Sequence, residues 1–313
     1  MTTNTYNTTP LVDSAYYAAV TAAIRGEASR LLSEGSVVAV IGYVAGRRAG
    51  TAMPVVITGA ARAEELIFSP GCQNNLALYL TKVKKEVVTS GKVAIVAKGC
   101  DLRALAGLMA ENQLKRENLH IIGVACAGVY GANADRSQPL FEASIARKCR
   151  ECTVHLPTGV DFTAGDLPQL PELAPLEGEE LAKLEAMTPA ERWAFWKEQF
   201  SRCIRCLACR QVCPFCFCEQ CLCDRNRPQG IESSPRPAGN MGWHIVRAMH
   251  LTGRCSGCAE CERACPMDIP LNLLNRKMAQ EMKELYGYEA GMTPQDKGPM
   301  SSYKEDDDQS FIK

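Results

Sequence analysis

CIRCLACRQVCP (203–214) and CSGCAECERACP (255–266) place four cysteines at the same spacing, and both runs end in Cys-Pro. In each run the two x2 gaps let a tight loop aim three thiolates at the corners of an iron–sulfide cube. Proline then stops the chain from continuing as helix while the fourth thiolate turns away. Such runs work in pairs, three cysteines holding one cluster and the fourth ligating the other. One [4Fe–4S] cluster is therefore expected on Cys203, Cys206, Cys209 and Cys265, and a second on Cys255, Cys258, Cys261 and Cys213. Zinc fits less well, because it pairs two CxxC knuckles and needs neither a third cysteine at x2 nor a fourth before proline. Disulfides fit poorly in a reducing compartment.

Composition narrows the class further. The chain has 313 residues, enough for two domains with sizeable cores. Its 35 Lys and Arg balance 35 Asp and Glu, which argues against nucleic acid or an anionic membrane as partner. The longest apolar run, 37–44, is strand-sized, so no membrane span is expected. The first fourteen residues are polar and lack the pattern of a signal peptide. Seventeen cysteines make an odd count for a disulfide scaffold. Clusters of this kind are oxygen-sensitive, so the expected setting is the cytoplasm of an anaerobe.

The first half reads as α/β with a mostly parallel sheet. A helix is predicted over 15–32, strands over 37–43 and 54–57 around the turn at 46–50, and a helix over 74–88. A strand over 93–97, a helix over 102–112 and a strand over 119–125 complete a parallel βαβ unit. Ligands of such sheets sit at the carboxyl ends of the strands, where the loops 98–101 and 126–128 lie. Gly99 would let backbone approach a ligand there, Lys98 and Arg103 would neutralise phosphates, and the helix start at Asp101 offers free N–H groups. There is no GxGxxG and no P-loop. The same turn also reads as a capped helix start, and Cys100 and Cys126 as small buried fillers.

The domains are expected at 1–160 (α/β), 161–187 (a proline-rich linker and helix), 188–290 (cysteine-rich, helical and loop-rich) and 291–313 (a polar tail). A short helix is expected at 140–146, just before the Cys149-x2-Cys152 pair. Further helices are read at 179–187, 190–200, 241–251 and 269–286. Thr188 and Glu191 form a capping box around Pro189. Trp193, Trp196 and Phe200 share one helical face, which reads as core packing, and His244 and His250 read as surface or packing residues. Six further cysteines, Cys149, Cys152, Cys216, Cys218, Cys221 and Cys223, crowd two short stretches. They suggest a third cluster bridging the halves, held by Cys149, Cys152, Cys218 and Cys221.

The segments SPGCQNNLALYL (69–80), VAKGCDLRAL (96–105), IIGVACAG (121–128) and KCRECTVHLP (148–157) resemble the beta-subunit family of coenzyme F420-reducing hydrogenases and dehydrogenases. The resemblance covers roughly residues 37–161, in order, and the tail is similar to a bacterial-type two-cluster ferredoxin domain. Members of that family are iron–sulfur flavoproteins. The resemblance therefore implies FAD in the α/β domain, lined by Lys98, Gly99, Cys100, Asp101 and Arg103 with Asn74 and Asn75 nearby. It also implies partners that are subunits of a redox complex of hydrogenase, formate dehydrogenase or heterodisulfide-reductase type. One departure is the absence of a cysteine cluster before Cys72, where some members carry one. The expected function is an electron-transfer subunit passing electrons between FAD and [4Fe–4S] clusters, since a flavin joins two-electron and one-electron chemistry. The alternative is a flavin-free wiring module whose α/β domain only docks partners.

Overall fold

All five side chains of Val93-Ala94-Ile95-Val96-Ala97 are buried, so this stretch forms the central strand of a sheet covered on both faces. The protein is seen in a computed structural model that describes residues 9–83, 85–166, 180–225, 227–232, 234–302 and 305. Helix α1 (Ser14–Ser33) is capped by Asp13, whose carboxylate accepts the Tyr16 N–H at 2.8 Å. Strands β1 (Ala39–Ala45) and β2 (Ala52–Ile57) form an antiparallel hairpin. A π-helical turn at Tyr79–Val83 leads to α2 (Lys85–Ser90), then β3 (Val93–Ala97), α3 (Gly99–Ala110) and β4 (Leu119–Val124). Helix α4 (Arg147–Arg150) and strand β5 (Phe162–Ala164) follow. The sheet order is β2-β1-β3-β4-β5, parallel except for β2. Helix α1 lies against β1, β4 and β5, and its Val20 and Ile24 are fully buried.

The second half is helical: α5 (Glu180–Ala186), α6 (Pro189–Ser201), α7 (Ala208–Gln211), α8 (Pro237–His250), α9 (Glu260–Arg263) and α10 (Leu271–Tyr286). Thr188 accepts the Glu191 N–H and Glu191 accepts the Thr188 N–H, the reciprocal cap expected there. Trp196 stacks on Phe200 and Phe200 on His244, with centroids 5.2 and 4.4 Å apart, while Trp193 stays exposed. The halves share a core, because Cys213, Phe215 and Leu251 are buried with the sheet residues. Gly107 of α3 leaves room for the Phe215 ring, which a Cβ there would meet at 2.8 Å. Arg254 and Glu111 pair across the junction at 2.7 Å. No described helix is long and apolar enough to cross a membrane.

Several expectations need correction. The helix read at 74–88 begins late, because the Asn74 carbonyl accepts from Tyr43 and Lys98 and the Asn75 side chain accepts the Ala77 N–H. These bonds hold 74–78 as a loop. The helix at 140–146 is a 3₁₀ turn at Glu142–Ser144, and the α-helical turn comes later, carrying Cys149. The sheet runs past the boundary at 160, since Phe162, Thr163 and Ala164 pair with β4. Residues 167–179 of the proline-rich linker, and 303, 304 and 306–313 of the polar tail, lie outside the described residues.

Candidate cysteine-lined redox sites

The two cysteine runs adopt one backbone. Arg205 and Leu207 in the first are left-handed at φ 56° and 60°, and Gly257 and Ala259 in the second at φ 70° and 52°. For Arg205, Leu207 and Ala259 this conformation costs on the order of 1 kcal/mol or more each, so surrounding contacts must impose it. Each run then enters a four-residue helix carrying its third cysteine. Alternating handedness turns successive N–H groups toward one point, the nest that favours anions and iron–sulfur centres. Accordingly, Arg205 N–H donates to Cys203 Sγ at 3.4 Å, and Gly257 N–H makes the equivalent bond to Cys255.

Cys203, Cys206, Cys209 and Cys265 line one cavity beneath Trp243, His244 and Ile269. The fourth thiol thus comes from the other run. Cys213 makes the reverse crossing, close enough to Cys255, Cys258 and Cys261 to influence each electrostatically. Asn275 Nδ2 donates to Cys261 Sγ at 3.7 Å. Burial pushes the Cys209 thiol up to about 11 and the Cys261 thiol up to about 12. Without a cation these thiols keep their protons, and a metal centre would release them. His244 is held neutral, its pKa lowered to about 3 by burial and the nearby Arg247 and Arg205. Its Nε2 is buried without a hydrogen-bond partner, and so is Trp243 Nε1. Polar atoms orphaned beside four thiols fit a sulfide-bearing group that would accept from them. Among the described residues no three His, Cys, Asp or Glu converge as one metal ion requires, whereas a cube of four irons holds its thiolates apart.

A second cavity opens at the carboxyl ends of β3 and β4, lined by Cys100, Cys126, Cys149 and Cys152. Its far wall comes from the second cysteine run, through Ser256 and Gly257. Ser256 Oγ and Asn272 Oδ1, both on this wall, have no partner. Buried Lys148 bolts the two halves together here: its Nζ donates to the Cys258 carbonyl at 2.8 Å and faces Glu260 at 3.4 Å. Burial pushes Cys100 up to about 12. The sequence alone did not bring Cys100 and Cys126 together with Cys149 and Cys152. The signal was their position, each at or just past the end of a parallel strand, where such sheets bind ligands.

The expected third ligand set is not brought together. Cys218 and Cys221 line a different cavity with Cys216 and Cys223, and it shares no lining residue with the cavity of Cys149 and Cys152.

The residues read for a flavin diphosphate are engaged within the chain. Lys98 is 1% exposed, and its Nζ lies 2.8 Å from the Asp101 carboxylate and also donates to Tyr43 and the Asn74 carbonyl. Asp101 in turn accepts the N–H groups of Leu76 and Lys98 at 2.6 and 2.9 Å. Arg103 grips the Ala290 carbonyl at 2.7 Å and Glu289 at 3.3 Å. Gly99 is bare because Val154 packs there, and a Cβ would meet its carbonyl oxygen at 1.7 Å. Asn75 donates to the Cys100 carbonyl at 3.0 Å. Lys98, Gly99, Cys100 and Arg103 all line the cavity, but the charges of Lys98 and Arg103 are already taken by internal partners, so the group does not fit a flavin diphosphate.

The class defined by fold and sites is an α/β sheet protein joined to a helical half built on two matched cysteine loops. No family model matches the chain. It is 23% identical over 321 residues to the F420-dependent formate dehydrogenase subunit beta of Methanocaldococcus jannaschii, spanning 77% of this chain and 83% of that protein. It is also 23% identical over 347 residues to the F420-dependent formate dehydrogenase 1 subunit beta of Methanococcus maripaludis, spanning 84% and 88%. The chain is thus similar to beta subunits of F420-dependent formate dehydrogenases, as its motifs suggested. Among solved structures, the F420-reducing [NiFe] hydrogenase complex from Methanosarcina barkeri matches 39% of this chain and 44% of its own at 14% identity. Its TM-score of 0.31 is too low to argue from.

Proposed function

We propose that the chain is an electron-transfer subunit of an oxidoreductase complex, conducting through [4Fe–4S] clusters in its cysteine loops and at the sheet edge. The observation that carries this is the crossing of Cys213 and Cys265, which gives each loop four thiols around one nest. The two ferredoxin-type centres would take Cys203, Cys206, Cys209 and Cys265, and Cys255, Cys258, Cys261 and Cys213. A third would take Cys100, Cys126, Cys149 and Cys152, with Lys148 between it and Cys258. Several such sites in one chain suit one-electron conduction. When bound, each cluster supplies a reversible one-electron couple, and the chain's own N–H groups, Asn275 and Lys148 tune its potential by hydrogen bonds and charge. Names of the relatives support a formate dehydrogenase complex as the partner.

The family resemblance also implies FAD, but no step is routed through it, because Lys98, Gly99 and Arg103 are committed to internal partners. That commitment favours the second reading, a flavin-free wiring module. Acid release of FAD from the cluster-replete chain would support the first reading, and protein that neither contains nor binds FAD the second. The main proposal is tested by anaerobic iron and sulfide analysis. Cys206→Ser and the pair Cys149→Ala/Cys152→Ala should each remove about four irons, the content of one [4Fe–4S] centre. Iron unchanged in both would defeat it.

A further inference from the structure

Five cysteines stand outside the three sets above: Cys72, buried in the sheet core, and four that lie together. Cys216, Cys218, Cys221 and Cys223 line one cavity between the first cysteine run and α8. Their C-x-C-x2-C-x-C spacing packs four thiols into eight residues. Cys223 is 1% exposed and hydrogen-bonds Cys221, while Cys218 reaches the surface. Four free thiols in one pocket, one of them exposed, would be prone to oxidise unless something held them.

The charge around the cavity is positive. Arg210, Arg247 and Arg254 line it. Arg210 is paired with Asp224 and Arg254 with Glu111. Arg247 has no acidic partner among the described residues although it is only 6% exposed. Its Nη2 donates to the Cys209 carbonyl at 3.1 Å, but its Nε is orphaned. A guanidinium buried without a counter-charge is costly. A cube on four thiolates is net negative and its sulfides accept hydrogen bonds, so it would answer the charge and the orphaned Nε of Arg247 together. A single zinc ion would need the thiols to converge, which no three do among the described residues.

We infer that Cys216, Cys218, Cys221 and Cys223 bind an additional iron–sulfur cluster, a [4Fe–4S] centre separate from the two loop centres and the sheet-edge centre. Cys218 brings it nearest to solvent.

The test uses the full chain purified anaerobically and assayed for iron, sulfide and zinc. Wild type should hold about 16 irons and as many sulfides, four for each of four [4Fe–4S] centres. Cys218→Ser/Cys221→Ser should lose about a quarter of both with zinc absent throughout. A wild-type content of about 12 irons would overturn the inference without relying on any variant. Unchanged iron in the double variant, or about one zinc per chain lost with it, would overturn it too. Cys206→Ser serves as reference. If it loses iron while the late pair does not, this inference alone fails; if neither does, the proposed function fails as well.

Discussion

Strand β3 buries five apolar side chains and nothing polar, whereas the stretch from Cys203 to Cys265 buries Asn240, His244, Arg247, Ser256 and Glu260 among its cysteines. Both regions are interior, but they differ in what completes them. The sheet is finished by α1 and α3, so its stability comes from apolar burial. The cysteine loops hold left-handed residues, orphaned donors and protonated thiols around open space. On the proposed function, bound clusters would take up that strain and charge. The contrast is between a region finished by apolar packing and one whose polar and thiol groups are left for a bound cluster to answer.

The largest effect should come from stripping iron anaerobically with chelator. All three tryptophans, Trp193, Trp196 and Trp243, lie in the helical half, so their emission reports on it alone. We expect a red shift and loss of that half's cooperative transition, while amide exchange at Val93–Ala97 stays slow. Unfolding of both halves together would break the contrast.

Charge burial sharpens it next. Lys98 and Asp101 form a pair supplied by the chain itself, so Asp101→Ala, which strands a buried ammonium, should cost about 3–5 kcal/mol in denaturant unfolding. Iron content should not change. Ile95→Val trims the sheet core by one methyl and should cost about 1 kcal/mol, again with iron retained.

The smallest effect is pH-dependent. Glu27 is held below the usual carboxylate range by its hydrogen bond to Arg30, which outweighs the opposing effect of burial; His120, 2.9 Å away, assists. A carboxylate depressed in the folded state stabilises above its unfolded pKa, and that contribution fades as pH falls through the folded value. Glu27→Gln should therefore cost up to about 1 kcal/mol at neutral pH, discounted because Arg30 is half exposed, and nearly nothing in acid.

Much of this was legible in the sequence because it is local. Strands β1 and β3 are continuous apolar runs, β4 is one broken only by His120, and the two loops announce themselves by spacing. What was missed depends on contacts distant in the chain. Residues 74–78 have helical composition, but Tyr43 and Lys98 claim the Asn74 carbonyl from 31 and 24 residues away. Strand β5 is three residues at a sheet edge, too short to show periodicity. Cys100, Cys126 and Cys149 meet only once β3 and β4 lie side by side, so their grouping could be read from topology but not from spacing. Lys98 looked like a phosphate ligand because its partner Asp101, three residues on, was read as a helix start instead.

The crossing of the fourth cysteines is tested most directly by EPR of the dithionite-reduced chain, comparing serine variants at Cys206, Cys258 and Cys265. Cys265→Ser should remove or alter the same signal as Cys206→Ser and leave the Cys258-dependent signal in place, although Cys265 follows Cys258 by seven residues in its own run. If Cys265→Ser instead reproduces Cys258→Ser, each run closes on its own cluster and the account of paired loops is wrong.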